Sequence, residues 1–126
     1  MTYRQDPIKV GVLFSRTGVT SVVEDTQHRA TMLAISEINA AGGVDGVPIV
    51  PVPTDPASAP ATYARQAERL VAEGASVLFG CYMSSTRRAV LPVVERAGAL
   101  LFYPTLYEGF EFSANCVYLG AAPNQN

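Results

Sequence analysis

The sequence predicts an α/β fold of the three-layer αβα class, in which a doubly wound parallel sheet has helices on both faces. Short apolar runs rich in Val, Leu and Phe alternate along the chain with helix-length amphipathic stretches, which is the pattern of a parallel sheet. Gly, Pro and Asp mark the boundaries between them. A chain of 126 residues with 48% hydrophobic content is long enough to bury the core of one domain.

The first strand and helix are predicted from the stretch that ends at "AGG". The run "IKVGVLF", residues 8–14, is apolar and β-branched, which favours a strand buried on both faces. A helix is predicted over residues 24–41. Its apolar side chains fall on one face, at Ala34, Ile35, Ile38 and Ala41. The glycines of "AGG" end it.

The second strand and helix begin after a tight turn at Asp45 and Gly46. Residues 48–52 form the predicted strand, and their prolines place it at or near a sheet edge. Ser58 is predicted to cap the next helix, with Pro60 near its first position. Its apolar face comprises Tyr63, Ala67, Leu70 and Val71, and Gly74 ends it.

The rest of the chain continues the alternation. "SVLFG" is predicted as the third strand, "SSTRRAVLPVVERAGA" as a helix bent at Pro92, "LLFYP" as the fourth strand and "CVYLG" as the fifth. The final "GAAPNQN" reads as a loop that leaves the fifth strand uncovered. We therefore expect residues 1–126 to be part of a longer protein.

Charge and cysteine usage exclude several classes of function. The net charge of −2 and the absence of a Lys/Arg-rich run argue against nucleic-acid binding. Neither Cys81 nor Cys116 has metal-ligand or redox spacing, so two reduced, buried thiols are expected. The apolar run at the N-terminus is too short for a leader peptide or a membrane span, which predicts a cytoplasmic protein, or a periplasmic one if a leader was removed.

Hydroxyl and aromatic side chains follow three of the predicted strands. Because the carboxyl ends of parallel strands meet at one edge, the loops "SRTG", "GCYMSST" and "YPTLYEGFE" are expected to converge. We call the resulting surface the rim. It comprises Ser15, Thr17, Tyr82, Ser84, Ser85, Tyr103, Thr105 and Tyr107. Rings and hydroxyls with little charge suit a small, polar, uncharged ligand.

Several of these residues also have a purely structural explanation. One hydroxyl among Ser84, Ser85 and Thr86 is enough to cap a helix, and the tyrosines could be partly buried rings at strand ends. The remaining polar residues have simpler expected roles. Asp55 is expected in a turn or cap, His28 on the surface, Arg87 and Arg88 on a solvated face or a partner contact, and Glu108 and Glu111 in solvent.

No catalytic, metal or cofactor site is predicted. Cys81 as a nucleophile would need a base, and none is near it in sequence. "GCYMS" lacks the glycine spacing of a serine nucleophile elbow, and "SRTG" lacks the lysine and glycine density of a phosphate loop. Lys9, the only lysine, begins a strand. We predict that the protein is not an enzyme.

Several stretches resemble the N-terminal lobe of type I periplasmic-binding-protein-like receptors, and the resemblance covers nearly the whole chain. They are "VGVLFSRTGVT", "AISEINAAGGVDGVPI", "GCYMSSTRRAVLPVVERAGALLFYPTLYEGFE" and "VYLGAAPNQN". The third is similar to the urea and short-chain-amide branch, and is closest to the amide-sensing negative regulators of aliphatic amidase operons.

The resemblance implies two lobes that close over a ligand, of which the C-terminal lobe is absent from this chain. It implies that Tyr82, Ser84, Tyr103 and Thr105 contact a short-chain amide such as acetamide, or urea, with Ser15 and Tyr107 as further candidates. It also implies an RNA-binding antiterminator protein as partner.

Two other functions stay open. One is the substrate-binding component of an ABC transporter for urea, short amides or branched-chain amino acids; the other is an amidase that uses Cys81. A homo-oligomer is compatible with the sequence.

Overall fold

A computed structural model describes residues 6–109 and 111–121. Strands and helices alternate along the chain as predicted. They are β1 (Ile8–Leu13), α1 (Ser21–Ala40), β2 (Ile49–Pro53), α2 (Pro60–Ala72), β3 (Val77–Gly80), α3 (Ser84–Ala97), β4 (Leu100–Tyr103) and β5 (Cys116–Tyr118). The predicted strands shift by a residue or two at their ends, and α1 begins three residues before the prediction. The α/β class with a parallel sheet is confirmed.

The five strands form one parallel sheet in the order β2-β1-β3-β4-β5. The prolines of β2 therefore lie on an edge strand, where a missing N–H breaks no central ladder. The order reverses beside β1, since β2 lies on one side of it and β3 on the other. In open α/β sheets a reversal of this kind opens a crevice at the carboxyl ends of the strands.

Residues of β1 alternate between two cores, as expected for a strand buried on both faces. Val12 packs with Ile35 of α1 on one face, whereas Leu13 joins a larger core with α2 and α3 on the other. Gly11 lies against Leu70 of α2 so closely that an added Cβ would come 2.7 Å from its Cδ1. A side chain at Gly11 would therefore require the Leu70 side chain to shift.

Two predicted turns are present. Asp45 and Gly46 both have positive φ and lie between Val44 and Val47, which form an antiparallel bridge. Gly74 follows α2 with φ of +98°, a conformation that side chains disfavour. Pro92 lies inside α3; the bend there stays a prediction.

Several predicted roles of polar residues are wrong. Ala59, not Ser58, stands at the N-cap of α2, and the Ser58 hydroxyl instead contacts Thr20. His28 is buried on α1 rather than on the surface. Arg87 is also fully buried. In the described ranges, no helix combines the length and apolarity that a membrane crossing requires.

Candidate functional site

The loops that follow β1, β3 and β4 lie at one edge of the sheet, because these strands are parallel neighbours. Two of the loops are joined by hydrogen bonds. The Tyr103 hydroxyl donates to the Tyr82 carbonyl oxygen at 3.0 Å, and the Thr105 hydroxyl donates to the Cys81 carbonyl oxygen at 3.3 Å. These hydrogen bonds support the predicted convergence of the loops after β3 and β4.

Cys81 lies in the turn between β3 and α3. Its φ is +77°, a left-handed conformation that is uncommon outside glycine, and its side chain is fully buried. Burial raises the pKa of its thiol, and the negative charge of Glu24 raises it further. A thiol held protonated in an apolar setting is a poor nucleophile, so its contribution is to packing.

The first turn of α3 meets the loop after β4 in a cluster of four paired charges, which we call the charge cluster: Arg87, Arg88, Glu108 and Glu111. The Arg87 side chain is 0% exposed, and its Nη2 lies 3.2 Å from Glu108 Oε2 while its Nε lies 2.6 Å from Glu111 Oε2. Arg88 is 65% exposed and also reaches Glu108, at 2.9 Å. The solvated carboxylates expected at Glu108 and Glu111 are thus engaged in ion pairs.

Aromatic rings surround the Arg87 guanidinium. Its central carbon lies 4.9 Å from the Tyr103 ring centroid and 5.9 Å from those of Tyr107 and Tyr118. Burial alone lowers the pKa of Arg87, but Glu108 and Glu111 more than offset this and raise it above its ordinary value. Arg87 therefore stays charged, and its guanidinium connects α3 with the rings of Tyr103 and Tyr107.

Ser84 belongs to the same cluster. Its hydroxyl donates to Glu108 Oε1 at 2.5 Å and makes no capping bond to the backbone of α3. This hydrogen bond, together with those from Arg87, lowers the pKa of Glu108 to about 2. The capping explanation for Ser84 is wrong, since Met83 stands at the N-cap with no side-chain hydrogen bond.

Ser15 belongs to a different, buried network around Glu24. Its backbone N–H donates to Glu24 Oε1 at 2.9 Å, and Tyr63 and Thr20 also donate to this carboxylate. The Ser15 hydroxyl bonds the Tyr63 hydroxyl at 2.7 Å. A buried carboxylate without a cation is satisfied here by three donors. The network fixes the start of the loop after β1 between α1 and α2.

Asp55 holds the rest of that loop. Its Oδ1 accepts the backbone N–H groups of Arg16 and Thr17, and its Oδ2 accepts the Thr17 hydroxyl at 2.8 Å. Burial raises the pKa of Asp55, but these hydrogen bonds together leave it below its ordinary value. The prediction of a turn or cap role for Asp55 is confirmed.

The structure divides the predicted ligand contacts into two groups. Tyr103 and Ser15 are fully buried beneath the rim, whereas Tyr82, Ser84, Thr105 and Tyr107 are partly exposed.

Sequence reasoning missed Gln27 of α1, whose Nε2 donates to the Thr105 hydroxyl at 3.2 Å. A polar residue on a helix gives no signal of this kind, because the contact spans 78 positions in the chain.

Comparison with known proteins identifies the family. Residues 8–126 match the model of the periplasmic binding protein domain. The chain belongs to this family. A leucine-, isoleucine-, valine-, threonine- and alanine-binding protein of Pseudomonas aeruginosa is 30% identical over 100 residues, which are 79% of this chain and 27% of that protein. A Leu/Ile/Val-binding protein of Citrobacter freundii is 31% identical, over 82% of this chain and 28% of its own length.

Solved structures of periplasmic binding proteins show the same fold. The branched-chain amino acid transporter substrate-binding protein LivJ of Streptococcus pneumoniae, in complex with isoleucine, superposes with a TM-score of 0.80 at 31% identity, covering 82% of this chain and 30% of that one. The chain thus spans under a third of the length of these relatives. The names of these three relatives describe binding proteins, and none of the three names an amide-sensing regulator.

Proposed function

We propose that residues 1–126 form part of the N-terminal lobe of a non-enzymatic solute-binding protein that serves an ABC transporter of small polar solutes. The observation that carries this is the convergence of Tyr82, Ser84 and Thr105 at the carboxyl edge of a sheet of this family. The names of the relatives support branched-chain amino acids as the first solutes to test, and the rim chemistry supports short amides and urea.

The mechanism would be a population shift between an open and a closed arrangement of two lobes. A ligand moves that equilibrium only by the difference between its affinities for the two states. The loops after β3 and β4 are suited to a fixed binding face, since hydrogen bonds and the charge cluster hold them against each other. Closure would then depend on the second lobe.

A second candidate is a cytoplasmic sensor of short-chain amides that acts on an antiterminator partner. The pairing of the arginines at the rim favours this sensor. Both arginines beside Ser84 are already paired with carboxylates, so neither is free for the carboxylate of an amino acid. An uncharged amide needs no such partner.

Calorimetric titration of the full-length protein with leucine, isoleucine, acetamide and urea tests the binding function. We expect saturable heat from at least one solute; the absence of heat from all four, in a protein whose folding is verified by circular dichroism, would contradict the binding function.

Cell fractionation separates the two candidate functions. Recovery with periplasmic markers supports the transporter component, whereas recovery with cytoplasmic markers supports the sensor.

A further inference from the structure

Two hydroxyl protons at the rim, those of Ser84 and Thr105, are donated to acceptors within the lobe. A hydroxyl has one proton to donate and two lone pairs that accept. The Ser84 proton goes to the Glu108 carboxylate and the Thr105 proton to the Cys81 carbonyl oxygen. Carboxylates and carbonyls can only accept, so the direction of these bonds is fixed.

The neighbours of these hydroxyls reinforce that direction. Gln27 donates its amide N–H to Thr105, so the Thr105 oxygen already acts as an acceptor there. Arg87 and Arg88 can only donate, and both donate to Glu108. Glu108 therefore stays an acceptor for Ser84, and the remaining lone pairs of Ser84 and Thr105 are what a ligand meets.

The charges near Ser84 also disfavour a ligand carboxylate. The first turn of α3 has no side-chain cap, and a free helix N-terminus would attract an anion. The Glu108 side chain, 46% exposed, already supplies a negative charge beside that turn. The nearby cations, Arg87 and Arg88, are paired with carboxylates. A carboxylate of a ligand would find neither a free cation nor a free hydroxyl proton at Ser84.

We propose that Glu108 is a specificity-determining residue: by accepting the Ser84 proton, it makes this part of the rim select ligands that present the N–H groups of an uncharged amide or urea and reject ligands that present a carboxylate. The inference rests on the proposed function, because it assumes that a solute contacts Ser84.

The test compares propionamide with propionate, which differ little in shape, by calorimetric titration of the full-length protein. We expect the wild-type protein to bind propionamide at least about 100-fold more tightly, because a carboxylate leaves unmatched acceptors and meets a like charge. Glu108→Ala frees the Ser84 proton and removes that charge. It should reduce the preference for propionamide by about tenfold or more.

Three further variants make the result specific. Glu108→Gln keeps the shape of the side chain without its charge and should also reduce the preference, which covers the case that Glu108→Ala does not fold. Glu95→Ala removes an exposed carboxylate from the far end of α3 and should leave the preference unchanged. In a double variant that combines Glu108→Ala with Ser84→Ala, no Ser84 proton is left to be freed. Its preference for propionamide should therefore change less than that of Glu108→Ala alone.

The outcomes separate the two proposals. If leucine binds and propionamide does not, or if the preference is the same in the wild-type protein and in folded Glu108 variants, the role of Glu108 is overturned while solute binding stands. If no solute of either kind binds to the folded protein, the proposed function itself fails.

Discussion

The Ser84 hydroxyl donates a 2.5 Å hydrogen bond to Glu108, and this contact joins the first turn of α3 to the loop that follows β4. The same carboxylate accepts from Arg87 and Arg88. Two rim segments that are 24 positions apart in sequence are thereby held as one surface. A ligand that contacts Ser84 consequently meets a hydroxyl whose orientation the protein has already set.

Arg87→Met should destabilise the full-length protein by about 3 kcal/mol, because it leaves Glu111 and Glu108 without their buried cation. Arg88→Met is the matched control. It removes an arginine of the same helix turn that is 65% exposed, and should cost under about 1 kcal/mol. Urea unfolding measures both. Equal costs for the two variants would mean that burial of Arg87 does not matter.

The lowered pKa of Glu108 predicts that the protein loses stability in acid. Its pKa is about 2 in the folded protein against 4.5 for an ordinary glutamate. Because the folded pKa is the lower one, the contribution of Glu108 to stability is complete above pH 4.5 and is lost as pH falls toward 2.

Thermal unfolding of the wild-type protein and of Glu108→Gln, between pH 6 and pH 2, measures this contribution. The melting temperature of the variant should be lower at pH 6, and the difference should shrink through the range below 4.5. Glu95→Gln on the exposed end of α3 controls for the loss of a surface charge. A difference that stays constant down to pH 2 would show that Glu108 makes no such contribution.

The order of the elements was predictable because it follows from local pattern. The apolar period of each run identifies a strand or a helix, and Asp45-Gly46 or Gly74 marks a turn from its own backbone preference. The edge position of β2 followed from its prolines for the same reason. None of these inferences needs a partner that is distant in sequence.

The electrostatics of the rim were not predictable, because every partner is distant. Arg87 and Arg88 are adjacent and look alike in sequence, yet one is fully buried and the other is exposed. The difference arises from Glu111 and from the ring of Tyr103, which only the tertiary fold brings to Arg87. Capping was a local explanation for any one hydroxyl among Ser84, Ser85 and Thr86, whereas the Ser84 proton goes to Glu108, a stronger, charged acceptor.

Both cysteines should be unreactive in the folded protein. Cys81 and Cys116 are buried, and burial raises the pKa of each thiol. With Ellman's reagent at pH 8, we expect the two thiols to react far more slowly in buffer than in denaturing urea. A fast phase that Cys81→Ala removes, accompanied by ammonia release from acetamide, would instead revive the amidase function.

Thr105→Val should weaken binding of propionamide to the full-length protein by about 3- to 10-fold, or about 0.5–1.5 kcal/mol, if the ligand donates to this hydroxyl. The substitution keeps the shape of the side chain but removes the oxygen that also accepts from Gln27. Thr62→Val on α2, whose hydroxyl accepts from Arg65 at the surface, is the matched control and should leave the affinity unchanged. Calorimetry measures both variants. If Thr105→Val binds propionamide as tightly as the wild-type protein does, Thr105 does not contact the ligand, and selection for N–H groups would depend on Ser84 alone.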